Sequence, residues 1–192
     1  MLFAVTSAEL VALVALTSAL SVVDWIYALQ HAIVLAIAMT RPMPQVQDRS
    51  LAISVAVAIS YGYPYAQIVY LGVSRGEPGW PTVGVVLVMF GALLSLASLH
   101  SLGKLFGVRP ALRGLATRGP YQFVRHPMYL SYIVADVGYN LQEWSPVTVS
   151  MVILGWASLL YRIQVEELLL ARHGGWRAYI DRARYRLIPG VW

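Results

Sequence analysis

Two polar stretches in an otherwise apolar chain carry residue types that could bind a small charged ligand. The first leads into His126 and Pro127, and proline suits the first turn of a helix, where its missing N–H costs nothing. Backbone N–H groups and the helix dipole attract anions at such a start, and Arg118 and Arg125 add positive charge. This pattern predicts a site for a carboxylate or a phosphate. The alternative is that the arginines anchor to lipid headgroups and His126 only caps the helix.

The second stretch contains Arg162, Glu166 and Glu167. Arg162 and Glu166 are four residues apart, so on a helix they share a face. One interpretation is a surface ion pair worth less than about 1 kcal/mol. However, adjacent carboxylates at a membrane boundary are costly unless they are solvated or engaged. A cationic ligand group would engage them.

Together the two stretches predict one pocket with an anion site near His126 and a carboxylate at Glu166. A zwitterionic cofactor with a sulfonium fits this combination better than a phosphate-rich one. The ring faces of Tyr121 and Tyr129 favour a sulfonium further through cation–π contact.

The composition indicates what kind of fold must position these residues. Of the 192 residues 58% are hydrophobic and 12% are charged, against roughly 25% charged in soluble domains. The mean hydropathy is +0.64. A soluble fold of this size could not bury so much apolar surface, whereas a bilayer can surround it. We therefore predict an all-α integral membrane protein with a single domain, residues 1–95 forming an apolar scaffold and residues 96–192 the ligand-binding half.

Residues 51–73 and 81–103 are each long enough to cross a bilayer and contain no acidic or basic side chain. The apolar block at residues 127–161 is too long for one crossing, and Glu143 to Pro146 favours a turn inside it. We predict a second, less regular hairpin for residues 2–40. The total is five to six transmembrane helices. Residues 163–181 are predicted to leave the membrane as a surface helix, broken at Gly174–Gly175.

The basic residues support alternating crossings. Of the 14 Lys and Arg residues, only Arg75 falls outside the loops that alternation places on one side. The positive-inside rule assigns that side to the cytoplasm, which also explains the net charge of +5 without nucleic acid as a partner. Cysteine is absent, so disulfides and thiolate chemistry are excluded, and no cluster of residues has the spacing of metal ligands.

The motif GPYQFVRHPMY, which ends at Tyr129, is followed by Arg162-x-x-x-Glu166-Glu167. In this combination residues 95–192 resemble the isoprenylcysteine carboxyl methyltransferase family, which groups with membrane phospholipid N-methyltransferases. The resemblance implies a methyltransferase that uses S-adenosylmethionine without a Rossmann domain, and no Gly-x-Gly-x-x-Gly motif follows a predicted strand here.

Carried over by position, the resemblance assigns Arg162 to the acceptor and Glu166 to both catalysis and cofactor binding. The remaining residues that it assigns to the cofactor are Arg113, Gly114, Leu115, Ala116, Tyr121, His126, Pro127, Met128 and Tyr129. The acceptor it implies is a lipophilic small molecule or lipid that enters from the bilayer, most simply an acid methylated on its carboxyl group.

Three alternatives stay open at this point. A phospholipid or other amine could be the acceptor, in which case a base is needed and Glu166 or Glu167 is the candidate. A sterol-reductase-like enzyme that uses NADPH shares a related C-terminal half. A membrane protein without enzymatic activity would explain the helices but not the paired motifs.

Overall fold

The computed structural model of the chain describes residues 25–26, 29, 33–34, 36–37, 44, 46–74 and 76–192. The chain divides into two compact units, Met1–Arg41 and Pro42–Trp192. The described residues of the first unit, between Trp25 and Ile37, are helical. The rest of the hairpin predicted for residues 2–40 lies outside the described residues, as does Arg75. The assignment of the chain to a single domain stays a prediction.

The second unit is built from five α-helices. They are α1 (Leu51–Ser74), α2 (Pro81–Leu102), α3 (Pro127–Gln142), α4 (Pro146–Leu170) and the short α5 (Trp176–Arg182), with 3-10 turns at Gly103–Leu105 and Gly119–Gln122. Among the described residues, three segments are long and apolar enough to cross a membrane: Leu51–Leu71, Pro81–Leu105 and Pro146–Leu170. The helical membrane class is confirmed. Helix α3 has 16 residues, fewer than the roughly 20 that a crossing needs, so the count of five or six stays a prediction.

The break between α3 and α4 lies where the sequence predicts it. Helix α3 ends at Gln142, and α4 begins at Pro146 with Ser145 as its N-cap. The Ser145 side chain accepts a hydrogen bond from Thr148 N at 3.1 Å, and Ser145 N donates to Thr148 Oγ1 at 2.9 Å. This capping box satisfies two N–H groups that a helix start leaves unpaired. The break predicted at Gly174–Gly175 is confirmed too, because α5 begins directly after it.

Two short antiparallel ribbons join the loops. Strand β1 (Val46–Gln47) pairs with β3 (Ala111–Leu112), and β2 (Glu77–Pro78) pairs with β4 (Glu143–Trp144). The first ribbon links the chain before α1 to the loop after α2, whereas the second links the α1–α2 and α3–α4 loops. Successive helices from α1 to α4 therefore run in alternating directions, as the distribution of basic residues predicts.

Small residues let α2 and α3 approach closely. A Cβ atom placed on Gly138 would lie 2.7 Å from the carbonyl oxygen of Gly84 and 2.7 Å from the backbone nitrogen of Val88. Both atoms belong to backbone that cannot move aside without separating the helices. Such close backbone contact is the usual way in which helices associate in lipid, where the hydrophobic effect cannot drive them together.

A buried polar network ties α1 to α3 and α4. The carboxylate of Asp136, which is 2% exposed, accepts hydrogen bonds from the hydroxyl of Tyr63 and, at 2.8 Å, from Trp156 Nε1. One helical turn or more away, Gln67 Nε2 lies 3.3 Å from Asn140 Oδ1 and from the carbonyl oxygen of Thr148. Polar groups inside an apolar bundle are stable only when they are paired, so these bonds fix the register of the three helices.

The C-terminal segment, residues 184–192, is bound to the loop before α3. Arg125 N donates to Tyr185 O and His126 N donates to Arg186 O, both at 2.9 Å. From α4, the carboxylate of Glu167 holds the same two segments together. Arg125 Nη1 lies 3.1 Å and Arg186 Nη2 lies 2.9 Å from its oxygen atoms. The end of the chain is therefore part of the structure that positions His126.

The close approach of α2 and α3 predicts a sharp difference between two glycines. Gly138→Ala is expected to lower the free energy of unfolding by about 1–3 kcal/mol, because the added methyl meets backbone. Gly62→Ala is the matched control, since a Cβ on Gly62 in α1 meets nothing within 4 Å, and it should leave stability unchanged or raise it by up to about 1 kcal/mol. Thermal unfolding in detergent micelles measures both. Equal effects of the two changes would contradict the packing described for α2 and α3.

The role of Glu167 predicts a local effect on the chain end. Removing one partner of a buried ion pair costs about 3–5 kcal/mol of stability. In Glu167→Gln, part of this loss is expected to appear as more frequent detachment of residues 184–192. The amide hydrogens of Arg125 and His126 should then exchange with solvent at least about tenfold faster. Asp181→Asn, which removes an exposed carboxylate from α5, serves as the control and should leave both exchange rates unchanged.

Candidate active site

A cleft opens where α1, α3 and α4 meet the segment between α2 and α3. It encloses about 520 Å³ of space between protein atoms, part of it open to solvent. Seven of the residues predicted from the sequence border it: Arg113, Tyr121, His126, Met128, Tyr129, Arg162 and Glu166. The two polar stretches, 33 residues or more apart in the chain, thus come together at one cavity.

Arg162 is buried within the bundle at 2% exposure. Its Nη1 donates to Ser60 Oγ at 2.7 Å and its Nη2 to the carbonyl oxygen of Val108 at 2.9 Å. The guanidinium carbon lies 5.1 Å from the ring centre of Tyr61 and 5.2 Å from that of Tyr129. These contacts compensate a charge that would otherwise be costly in an apolar environment. They also fix the guanidinium in one orientation beside the cleft.

Glu166 borders the same cleft and forms no ion pair with any residue in the described part of the chain. Its Oε2 accepts a hydrogen bond from the hydroxyl of Tyr129 at 2.9 Å. The surface ion pair between Arg162 and Glu166, the simpler alternative for their spacing, is not among the contacts of the described residues. Glu166 is therefore a carboxylate whose charge no neighbouring cation neutralises through direct contact.

Glu167 has the opposite environment, although it is the next residue. Arg125, His126 and Arg186 all surround its carboxylate, with His126 Nε2 at 3.3 Å from Oε1 and Arg186 Nε at 2.9 Å from Oε2. Successive residues of a helix point about 100° apart, so the two carboxylates face different neighbours. The sequence predicts that one ligand engages both Glu166 and Glu167, but the two side chains have different partners. Glu167 binds protein cations and holds the His126 ring, whereas Glu166 borders the cleft.

Tyr121 forms part of the wall next to Glu166. Its carbonyl oxygen accepts a hydrogen bond of 3.0 Å from the hydroxyl of Tyr179 in α5. Burial raises the pKa of Tyr121 well above its usual value, and the negative charge of Glu166 raises that pKa further. The hydroxyl of Tyr121 therefore stays protonated at neutral pH, and the ring offers a neutral aromatic surface.

Several residues of the cleft were not predicted from the sequence. Arg109 is one, and its Nη2 donates to Ser54 Oγ at 2.9 Å. Tyr132 is three residues after Tyr129 on α3, a spacing that places both on one face and that could have indicated it. Tyr61 lies in an apolar span, where nothing local distinguishes it from a packing residue. The other residues of this group are Leu102, Leu105, Phe106, Gly107 and Ala111.

Four predicted cofactor residues do not border the cleft. Leu115 packs against the buried cluster of Trp176, Tyr179 and Ala183. Leu115 lies between Gly114, whose φ is +133°, and Ala116 in the chain. Pro127 is a buried residue at the start of α3. A role for these four in binding the cofactor stays a prediction.

Comparison with known proteins gives three curated relatives. Protein-S-isoprenylcysteine O-methyltransferase B of Arabidopsis thaliana is 27% identical over 132 residues, which cover 66% of each chain. Protein-S-isoprenylcysteine O-methyltransferase of Dictyostelium discoideum is 30% identical over 119 residues, 57% of this chain and 49% of its own, and form A of the Arabidopsis protein is 26% identical over 98 residues, 48% and 50%. The chain thus spans between about half and just under two thirds of the relatives' length.

The resemblance to isoprenylcysteine methyltransferases predicted from the motifs is confirmed by these relatives. No solved structure matches the chain significantly. The sequence pattern of the family described as phospholipid methyltransferase matches residues 80–175, from the residue before α2 to the residue before α5. Because this match covers half of the 192 residues, the chain belongs to the phospholipid methyltransferase family.

Proposed function

We propose that the protein transfers a methyl group from S-adenosylmethionine to the carboxylate of a lipophilic acid within the membrane. The observation that carries this proposal is that two side chains of opposite charge, neither of them in an ion pair with a described residue, border one cleft. Among the described residues neither Glu166 nor Arg162 forms an ion pair, yet both border the same cavity. Such a cleft suits a cationic methyl donor together with an anionic acceptor.

The cleft fits the chemistry of the proposed cofactor. S-adenosylmethionine carries a sulfonium, an ammonium and a carboxylate. Glu166 would hold a cationic group, the rings of Tyr121 and Tyr129 would line its path, and Arg113 and His126 would face the carboxylate. The backbone of Gly107 lies directly beneath the Arg113 guanidinium, where any side chain would displace that group from its present position. When bound, the cofactor would supply an electrophilic methyl carbon that a carboxylate oxygen can attack without acid or base assistance, while the neutral sulfide S-adenosylhomocysteine leaves.

The residues of this chain would then act chiefly by positioning. Arg162 is held rigidly by Ser60 and Val108, so it would fix an acceptor carboxylate in one orientation. A carboxylate acceptor is already ionised, so no general base is needed. Burial of Arg162 keeps bulk water away from its guanidinium, which strengthens the charge interactions of that group. A lipophilic acceptor would reach Arg162 from the bilayer, and by the positive-inside rule the cofactor would enter from the cytoplasmic side.

The amine of a phospholipid is the second candidate acceptor, because the matched family is described as phospholipid methyltransferase. A protonated amine must lose a proton before it attacks, and Glu166 would be the base. The charge of the cleft argues against this alternative, because Arg109, Arg113 and Arg162 border it and Glu166 is its sole acidic group among the described residues. Three guanidinium groups repel an ammonium and attract an acid. We therefore favour a carboxylate acceptor, as in the isoprenylcysteine relatives.

Calorimetry of the purified full chain tests the cofactor. S-adenosylmethionine without an acceptor is expected to bind the unaltered protein, and Glu166→Gln should weaken that binding by about tenfold or more, since a charge-assisted contact is lost. Glu77→Gln, which removes an exposed carboxylate from β2, is the matched control and should bind as the unaltered protein does. Binding of NADPH instead of S-adenosylmethionine would replace the proposal with a reductase.

Arg162 gives the matching prediction for the acceptor. Arg162→Lys keeps the positive charge but loses the planar donor set, so kcat/KM for a lipophilic acid should fall by about 100-fold or more, while S-adenosylmethionine should bind within about threefold of normal. Arg177→Lys, an exposed change on α5, should alter neither quantity. Methyl ester formation from the labelled cofactor is the measurement. Methylation of an amine lipid but not of the acid would support the second candidate.

A further inference from the structure

Arg109 borders the cleft with a guanidinium that the protein uses in part. Its Nη2 donates to Ser54 Oγ at 2.9 Å, and no other hydrogen bond joins its side chain to a described residue. Nε and Nη1 therefore have no partner in that part of the chain, and neither belongs to the unpartnered donors that are closed to solvent. Arg109 is itself partly exposed. Its remaining N–H groups are thus accessible to a ligand.

Arg162 differs, because its donors are already engaged. Nη1 and Nη2 bond to Ser60 and Val108, and Tyr61 contributes a further side-chain hydrogen bond. Ser60 lies six residues beyond Ser54, which is about 9 Å along a helix axis, and Ser54 belongs to the first turn of α1. Arg162 can therefore attract an anion by its charge, but the hydrogen bonds to that anion need another donor.

The backbone next to Arg109 brings the other two cleft arginines to the same place. Val108 O accepts from Arg162 Nη2 at 2.9 Å, and the next carbonyl, that of Arg109, accepts from Arg113 Nη1 at 3.4 Å. Hydrogen bonds from Ser50 lower the pKa of Asp48, and the charge of Arg109 lowers it further, but within the described chain these two side chains form no ion pair. Guanidinium groups gathered in this way repel one another and favour an oxyanion between them.

We propose that Arg109 is a second acceptor-binding residue, which donates hydrogen bonds to the acceptor's carboxylate while Arg162 attracts that carboxylate by its charge. This inference rests on the proposed function and adds a specificity to it. A carboxylate accepts the bonds that the open N–H groups of Arg109 offer, whereas a protonated amine has no lone pair with which to accept them. Arg109 would therefore select acids over amines.

Arg109→Gln tests the inference, because it removes the charge and shortens the side chain at the edge of the cleft. Calorimetry of the full chain in detergent micelles measures binding of an S-prenylated cysteine, acetylated on its amino group, in the presence of S-adenosylhomocysteine. The dissociation constant of this acid should rise by about tenfold or more, since hydrogen bonds to a charged group are lost. The affinity for S-adenosylhomocysteine should stay within about twofold, because its contacts lie elsewhere.

The carboxamide of the same compound carries no negative charge, so its affinities for the variant and the unaltered protein should agree within about threefold. Arg49→Gln is the matched control, because Arg49 is an exposed arginine just before α1 that does not border the cleft. It should leave all three affinities unchanged. Arg109→Lys, which keeps the charge but loses the planar donor set, should raise the dissociation constant of the acid by about threefold or more.

The outcomes separate this inference from the proposed function. If the acid binds, and binds more weakly to Arg109→Gln, but no methyl ester forms, the proposed reaction is wrong and the carboxylate site stands. If ester forms and the dissociation constants of the two proteins for the acid agree, the role of Arg109 is overturned and the reaction stands. Weaker binding of S-adenosylhomocysteine by Arg109→Gln would assign Arg109 to the cofactor and overturn the inference. An equal loss for acid and carboxamide, or failure of the unaltered protein to bind the acid, overturns it as well.

Discussion

A permanently charged guanidinium inside a bundle of apolar helices must be compensated by the protein, because lipid cannot solvate it. Arg162 meets this constraint through Ser60 of α1, the carbonyl of Val108 and the rings of Tyr61 and Tyr129. These groups come from α1, α3 and the loop after α2, so satisfying one charge determines how α4 sits against most of the bundle. The compensation is electrically neutral, and the positive charge of Arg162 therefore remains available at the cleft.

The negative charges of the two adjacent glutamates are subject to the same requirement for compensation. Glu167 is surrounded by protein cations and joins α4 to the loop before α3 and to the chain end. Within the part of the chain that the structure describes, Glu166 accepts its hydrogen bond from the hydroxyl of Tyr129. A single step along the helix thus separates a carboxylate that holds the site together from one that can receive a ligand. The C-terminal segment participates because Arg186 shares Glu167 with His126.

Away from the cleft, polar side chains are used for helix register rather than for ligand binding. Asp136 is an acid buried within the apolar helices, which is often a sign of function, but its carboxylate accepts hydrogen bonds from Tyr63 and Trp156. One face of α1 carries Ser60, Tyr63 and Gln67. Ser60 bonds to α4, Tyr63 bonds to α3, and Gln67 bonds to both of these helices. Close glycine packing holds α2 against α3. Arg162 therefore rests on a bundle whose register is fixed by separate contacts.

The sequence by itself determined the helical membrane class, the breaks at Ser145–Pro146 and after Gly174, and seven residues of the cleft. These features depend on local properties: apolar length, proline and glycine position, and motifs whose spacing is short. The residue types could not separate the roles of Glu166 and Glu167, which have the same side chain and adjacent positions, and only the family resemblance selected Glu166. The sequence also missed Tyr61, Arg109 and Tyr132. Only the tertiary structure decided these matters, because the surroundings of a side chain come from helices and loops distant in the sequence, and burial and pairing are properties of that packing.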